Sequence, residues 1–203
     1  MMVQANVDRD WDARYRSGET PWDSALVSRE LRIVLDERPI VPGRAIELGC
    51  GTGTNAVFLA QQGFQVTAVD CSAPALEQAA EKAQQAGVSV DWIEADVQHF
   101  GDHLQPFDFV FDRGCYHCCR RTDLPGILTT LANITHPGSL FLCLAGNANE
   151  QTEHGPPRVT EQEIRDELGR LFDVEFIREF RFQDAGEVEG PLGWSCLLVR
   201  KSD

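Results

Sequence analysis

The sequence predicts an α/β fold: a doubly wound, mostly parallel seven-stranded sheet with an antiparallel edge strand, in a single domain over residues 1–203. Three observations predict it. Short apolar runs alternate with helix-period segments along the chain, which is the signature of crossover units. Those runs are too continuously apolar for a sheet with one wet face, so both faces should be covered by helices. The last two runs have no room for a helix between them, so one of them must run antiparallel.

The elements follow in order. SALVSRELRIVLD, Ser24 to Asp36, has helical periodicity with a serine at its head, and Pro39, Pro42 and Gly43 break it. RAIEL, Arg44 to Leu48, reads as a buried strand, and TNAVFLAQQG as a helix closed by Gly63. FQVTAVD, Phe64 to Asp70, is a second strand. The next helix takes Ser72 as N-cap and Gly87 past its end. VSVDWIEAD and FDFVFDR are the third and fourth strands. TDLPGILTTLANIT should hold a helix broken early by Pro125 and Gly126, and SLFLCLAG is a strand after a Pro–Gly turn. Thr160 and Glu163 stand at capping-box spacing before a helix. DVEFIREFRF and WSCLLVRK complete the sheet as a hairpin-like pair.

Composition narrows the function. Thirty-two acidic residues against eighteen Lys and Arg give a formal charge of −14, with no basic run to offset it. Such a surface repels phosphate backbones, so nucleic acid and anionic membrane are poor partners and a small molecule is the expected one. The first residues lack the features of a targeting segment and no apolar run spans a bilayer, which predicts a cytoplasmic protein. Seven scattered cysteines form no framework and should be thiols in that compartment. Nothing in the sequence marks an oligomer interface, so a monomer is expected.

The strongest local signal is AIELGCGTGTNAVFLA, Ala45 to Ala60. A strand runs into Gly49-Cys50-Gly51-Thr52-Gly53 and then a helix, so the backbone can approach a ligand beside a helix N-terminus. About 20 residues on, the second strand ends in Asp70, where a carboxylate can receive ribose hydroxyls. The register, G-x-G-x-G after Glu47-Leu48, differs from that of the dinucleotide dehydrogenases.

The form E-L-G-C-G-T-G resembles motif I of the class I S-adenosylmethionine (SAM) methyltransferases, whose core is Rossmann-like. Asp70 is similar to their ribose acid, Asp96 with Val97 to the pair beside adenine, and FDFVFDRG to the fourth-strand motif beneath the transferred methyl. WDARYRSGETPWD, Trp11 to Asp23, resembles the amino-terminal segment of the thiopurine and thiol methyltransferase group, close to the tellurite-resistance methyltransferases. The D-R-G-x-x-H of Asp112 to His117 and the G-P-P-R-x-T of Gly155 to Thr160 are similar to patterns in the same group. The resemblance implies SAM as cofactor, residues 1–36 as a cofactor-covering segment and 37–203 as the core. It implies cofactor contacts at Glu47, Gly49, Gly51, Asp70, Cys71, Asp96, Val97, Asp112 and Arg113, with Trp11, Tyr15 and Trp22 from the covering segment. Aromatics at helical spacing also serve as core, and that alternative stays open for Trp11 and Tyr15.

FDRGCYHCCR, Phe111 to Arg120, is the remaining question. Structural zinc wants four converging ligands, and Cys115, His117, Cys118 and Cys119 are too bunched to supply them, so no metal is expected. In a doubly wound sheet ligands bind outside the carboxyl ends of the strands, which places this stretch on an acceptor pocket, as lining or as soft ligands. Gly146 to Arg158 should shape the same pocket. Asp112 and His117 are the candidate catalytic residues, as a base or to orient the acceptor. The function read from these residues is SAM-dependent methylation of a small molecule, a thiol or another soft nucleophile. Two alternatives stand beside it: O- or N-methylation of a small metabolite, and a SAM-binding protein that sequesters a metalloid through Cys115, Cys118 and Cys119.

Overall fold

The computed structural model describes residues 10–151, 155–183 and 190–202. Among the described residues fourteen elements follow one another: α1 Trp11–Ser17, α2 Arg29–Glu37, β1 Arg44–Leu48, α3 Thr54–Gln61, β2 Gln65–Asp70, α4 Ala73–Ala86, β3 Asp91–Glu94, β4 Phe107–Arg113, α5 Tyr116–Ile134, β5 Thr135–Asn147, β6 Arg158–Val159, α6 Glu161–Leu168, β7 Phe172–Arg181 and β8 Leu192–Arg200. The strands pair in the order β3-β2-β1-β4-β5-β8-β7, with β6 paired to the end of β5. All pairs are parallel except those of β8, which opposes both β5 and β7. The antiparallel strand expected at the edge is thus one in from it. The two-residue β6 is an addition, too short to leave a sequence signal.

The apolar runs behave as parallel strands covered on both faces should. Ala45, Ile46, Phe109, Val110 and Phe111 have no exposed surface, and successive residues enter opposite layers. Ile46 and Val110 join Leu131, Phe141, Ile164 and Trp194 on one face; Ala45, Phe109 and Phe111 join Leu31, Leu59, Leu142 and Leu197 on the other.

Several boundaries differ from the sequence reading, each for a local reason. Helix α2 begins at Arg29, after Ser28 rather than Ser24, because residues 24–27 form a turn in which Ala25 takes a φ of +55°. Helix α5 begins well before Thr122, at Tyr116, because Asp112 accepts the backbone N–H groups of Cys115 and Tyr116 at 2.8 and 2.7 Å. The break ahead of Pro125 is present: Asp123 leaves helical geometry at φ −147°, and its Oδ1 accepts the N–H of Gly126 at 3.0 Å. Proline has no N–H to continue the ladder, so the second half of α5 restarts with its own cap. The Pro–Gly turn lies inside the span of β5, where Thr135 pairs with Phe107 and pairing resumes at Leu140 opposite Phe109. Thr160 and Glu163 form the anticipated capping box. Glu163 also takes a bond from Arg120, and these contacts hold its carboxyl near 2.

Candidate active site

The strand order makes the carboxyl ends of β2, β1 and β4 neighbours, and a cavity of about 1050 Å³ opens there. Its walls include the glycine loop, Asp70 and Cys71 at the end of β2, residues 95–98 after β3, residues 113–115 and 117–119 at the end of β4 and the start of α5, and the turn after α1. This is the crevice beyond the strand ends where doubly wound folds bind ligands.

The glycine loop has that shape because three residues adopt left-handed backbone, with φ of +61°, +53° and +73° at Gly49, Gly51 and Gly53. The surroundings also exclude side chains. A Cβ on Gly51 would stand 2.7 Å from the Tyr15 hydroxyl, and one on Gly49 would stand 2.8 Å from Cys115 Cβ. Asp70 completes the loop. One oxygen accepts Gly51 N–H at 2.8 Å and the other accepts Ser72 N–H at 2.9 Å. Burial raises its pKa, opposed by these N–H groups.

Glu47 is buried at the end of β1 and borders the cavity. Oε1 accepts from Asn55 Nδ2 at 3.2 Å, and Oε2 has no hydrogen-bond partner among the described residues. Burial pushes its pKa up to about 8, which leaves it mostly protonated at neutral pH. An orphaned acceptor beside a cavity suits a cationic group such as the ammonium of SAM.

The segment after α1 lies against this loop. Trp22 Nε1 donates to the Tyr15 hydroxyl at 3.2 Å, Trp11 and Trp22 meet edge to face at 5.5 Å, and the Arg14 guanidinium covers Trp22 at 4.2 Å. Thr52 Oγ1 donates to Asp23 at 2.7 Å and accepts from Lys82 Nζ on α4 at 2.8 Å. Asn55 accepts Ser28 N–H at 2.9 Å, so one side chain joins the start of α2 to Glu47. Arg113 donates to the carbonyls of Trp22 and Gln183 at 2.9 and 3.0 Å. Polar bonds to the loop, α3, α4 and β4 therefore hold residues 22–28 across one side of the cavity. Residues 1–9 of the expected covering segment, and 152–154 of the segment expected to shape the acceptor pocket, lie outside the described residues.

Most of the sequence-predicted residues meet here: Trp11, Tyr15, Trp22, Glu47, Gly49, Gly51, Asp70, Cys71, Asp96, Val97, Arg113 and His117 all border the cavity. Asp112 does not. It has no exposed surface and both oxygens are engaged by the first N–H groups of α5, so it is a helix cap, neither a base nor a cofactor ligand. Burial raises its pKa to about 7. His117 borders the cavity, but its Nδ1 accepts Gly146 N–H at 2.8 Å. In the neutral ring the other nitrogen then carries the proton, so His117 presents a donor rather than the lone pair a base needs.

Asp23, Thr52, Asn55, Lys82 and Phe182 were not foreseen. Asp23 ends the segment WDARYRSGETPWD and Thr52 lies inside the glycine loop, but their partners are distant in sequence. Phe182 and Pro191 close the cavity from the β7–β8 end, where no motif marked them. Among the described residues no helix is long and apolar enough to cross a membrane, and no three His, Cys, Asp or Glu residues are placed to hold a metal ion.

A parallel sheet with this order, a glycine loop after β1 and an acid ending β2 define a protein that binds a nucleoside-bearing cofactor. The chain is a class I SAM-dependent methyltransferase acting on a small molecule, with SAM as its cofactor. Residues 45–138 match a family model described as "Methyltransferase domain". Among named relatives, a 2-heptyl-1-hydroxyquinolin-4(1H)-one methyltransferase of Mycobacteroides abscessus is 25% identical over 176 residues, covering 82% of this chain and 77% of the relative. An Arabidopsis thaliana protein named "Probable thiol methyltransferase 2" is 23% identical over 157 residues, covering 77% and 69%. A solved structure described as "Conversion of a Disulfide Bond into a Thioacetal Group during Echinomycin Biosynthesis" has the same fold, with TM-score 0.80, 24% identity, and coverage of 94% and 91%.

Proposed function

We propose that this enzyme methylates a soft nucleophile, a thiol or selenol carried by a small organic molecule. The observation that carries the reading is that neither candidate base is in a state to take a proton. Asp112 is committed to the α5 cap, and His117 Nδ1 is committed to Gly146 N–H. An alcohol or amine acceptor needs proton removal, whereas a thiol, with a reference pKa near 8.5, is already partly thiolate at neutral pH. The thiol methyltransferase relative agrees with this reading.

The residues then divide the work. SAM supplies a methyl on a sulfonium, an electrophile that needs alignment more than activation. The backbone of Gly49 and Gly51 gives close approach, Asp70 takes the ribose hydroxyls, and Asp96 with Val97 flanks the adenine. Glu47, with its unpartnered Oε2, receives the ammonium. Arg113, bonded to the Trp22 carbonyl, ties residues 22–28, the strap across the cavity, to β4, so that Trp11, Tyr15 and Trp22 cover the cofactor and exclude water. Cys71 borders the same space. His117 lines the cavity beside the acceptor and orients the anion rather than accepting its proton.

The test is S-adenosylhomocysteine release across a panel of aromatic and aliphatic thiols, a selenol, a phenol, an N-hydroxy heterocycle and an amine. Turnover on the thiols and selenol with a rate that follows acceptor ionisation supports the reading. Turnover confined to oxygen or nitrogen sinks it. The N-hydroxy heterocycle is included because of the hydroxyquinolinone methyltransferase relative.

A further inference from the structure

The strap is clasped at both ends by two side chains. Arg113, the last residue of β4, donates through Nη1 to the Trp22 carbonyl at 2.9 Å and through Nη2 to the Gln183 carbonyl at 3.0 Å. The Gln183 side chain in turn accepts the N–H of Arg29, the first residue of α2, at 3.1 Å. Among the described residues Ser28, which precedes α2, makes no side-chain cap bond, so Gln183 meets this helix end from 154 residues away.

The same arginine also meets the far wall of the cavity. Its guanidinium lies over the Phe182 ring at 5.1 Å, and Phe180 packs on that ring at 4.6 Å. Two backbone bonds fix Phe182: its N–H donates to the Pro191 carbonyl at 3.0 Å, and its carbonyl accepts Gly190 N–H at 2.9 Å. Gly193 leaves space for the two rings, since a Cβ there would stand 2.7 Å from Phe182. Phe182, Gly190 and Pro191 all border the cavity. On the cofactor side, burial raises the pKa of Glu47 and the charge of Arg113 opposes that rise. One guanidinium therefore stands among the Glu47 carboxyl, the strap and the far wall. A planar fork can hold carbonyls of two distant segments at a fixed angle, which a single ammonium on a flexible stem does not.

We infer that Arg113 is a positioning residue that couples the two halves of the site, so that a cofactor settled under the strap also fixes the Phe182–Pro191 wall. This coupling rests on the covering role of Trp11, Tyr15 and Trp22. A strap pressed onto the cofactor fixes the Trp22 carbonyl. The Arg113 fork then has one orientation, and its second prong and the face above Phe182 are set with it. The bond from Arg29 N–H to Gln183 closes the same circuit from the other end of the strap. The acceptor therefore meets a completed wall once the cofactor has bound. By linkage, a bound acceptor tightens the cofactor by the same factor.

S-adenosylhomocysteine is the probe, because it needs no acceptor and does not turn over. The full-length protein, free and saturated, is compared by amide hydrogen exchange resolved residue by residue in NMR spectra. In the wild type, saturation should slow exchange across residues 22–28 and, by roughly fivefold or more, at the Phe182 and Gly190 amides. Arg113→Lys keeps the charge without the fork: residues 22–28 should still respond, while the effect at Phe182 and Gly190 falls to within about twofold. Gln183→Ala removes the acceptor of Arg29 N–H and should weaken the response at Phe182 and Gly190, and Gln183→Glu, which keeps an acceptor, should restore it. That pair decides the matter if Arg113→Lys does not fold. A residue that merely braced the fold would change exchange equally in the free and saturated protein, leaving their ratio intact. The coupling is overturned if saturation slows residues 22–28 but not Phe182 and Gly190 in the wild type, or if Arg113→Lys and Gln183→Ala both respond as the wild type does. Unslowed exchange at residues 22–28 in the saturated protein removes the covering role and the coupling with it.

Discussion

Glu47→Gln tests the electrostatics of the site directly. Glu47 is fully buried, its pKa is pushed up from 4.5 to about 8, and burial is the main cause. The sign follows from linkage. An acid whose folded-state pKa is raised contributes stability that is complete below its unfolded pKa and is lost as pH rises through the folded one. Across the gap of about 3.5 units, at 1.36 kcal/mol each, ionised Glu47 costs on the order of 5 kcal/mol by pH 9. Glutamine keeps an oxygen for Asn55 Nδ2 and has no charge to bury. The variant and wild type should therefore melt alike near pH 5 and diverge toward pH 9, with the variant higher by roughly 2–4 °C per kcal/mol. Other buried groups, Asp112 included, are common to both proteins and cancel in the difference. The assay is calorimetric melting of both proteins without cofactor from pH 5 to 9. A difference that does not change with pH would refute the buried-carboxyl argument. If the SAM ammonium meets Oε2, binding at pH 7 should also release about 0.9 proton in the wild type and none in the variant, read from titration heats in two buffers.

Four further outcomes are expected. His117→Ala should lower kcat by roughly 10- to 100-fold and leave SAM affinity nearly unchanged, while the pH–rate profile keeps its shape; a limb near pH 6.5 lost in the variant would restore the base assignment. Gly51→Ala combines left-handed backbone, about 1–2 kcal/mol, with a Cβ 2.7 Å from the Tyr15 hydroxyl, so SAM binding should weaken at least about tenfold by titration calorimetry. Thr52→Val removes the bond to Asp23 and orphans Lys82 Nζ on one side, and hydrogen exchange over residues 20–28 should accelerate while that of β1 and β4 does not. Asp112→Ala deletes the α5 cap and should cost about 1–2 kcal/mol in denaturant melts, more than a cavity carboxylate would.

Sequence alone determined what rests on near neighbours. A glycine triplet between an apolar strand and a helix specifies left-handed turns and a bare backbone, and Asp70 at the end of the next strand follows from the length of one crossover unit. The capping box at Thr160 and Glu163 and the break of α5 just ahead of Pro125 are equally local, because a missing N–H or a hydroxyl three residues from its partner acts within one turn. The fold class was legible for the same reason: alternating short strands and helices leave few ways to cover both faces, whereas the place of the antiparallel strand, one in from the edge, was not. Tertiary structure decided what each polar atom does. Asp112 and His117 look alike as candidate bases in D-R-G-x-x-H, yet one oxygen pair turns into a helix end and one ring nitrogen meets Gly146, 29 residues away. The strap is held by Asp23, Thr52 and Lys82, with 29 and 30 residues between partners. Cys115 and Cys119 share a face only because Asp112 starts the helix before them. A side chain's chemistry depends on which lone pair or proton is left after its partners are satisfied, and those partners are brought together only when the sheet closes.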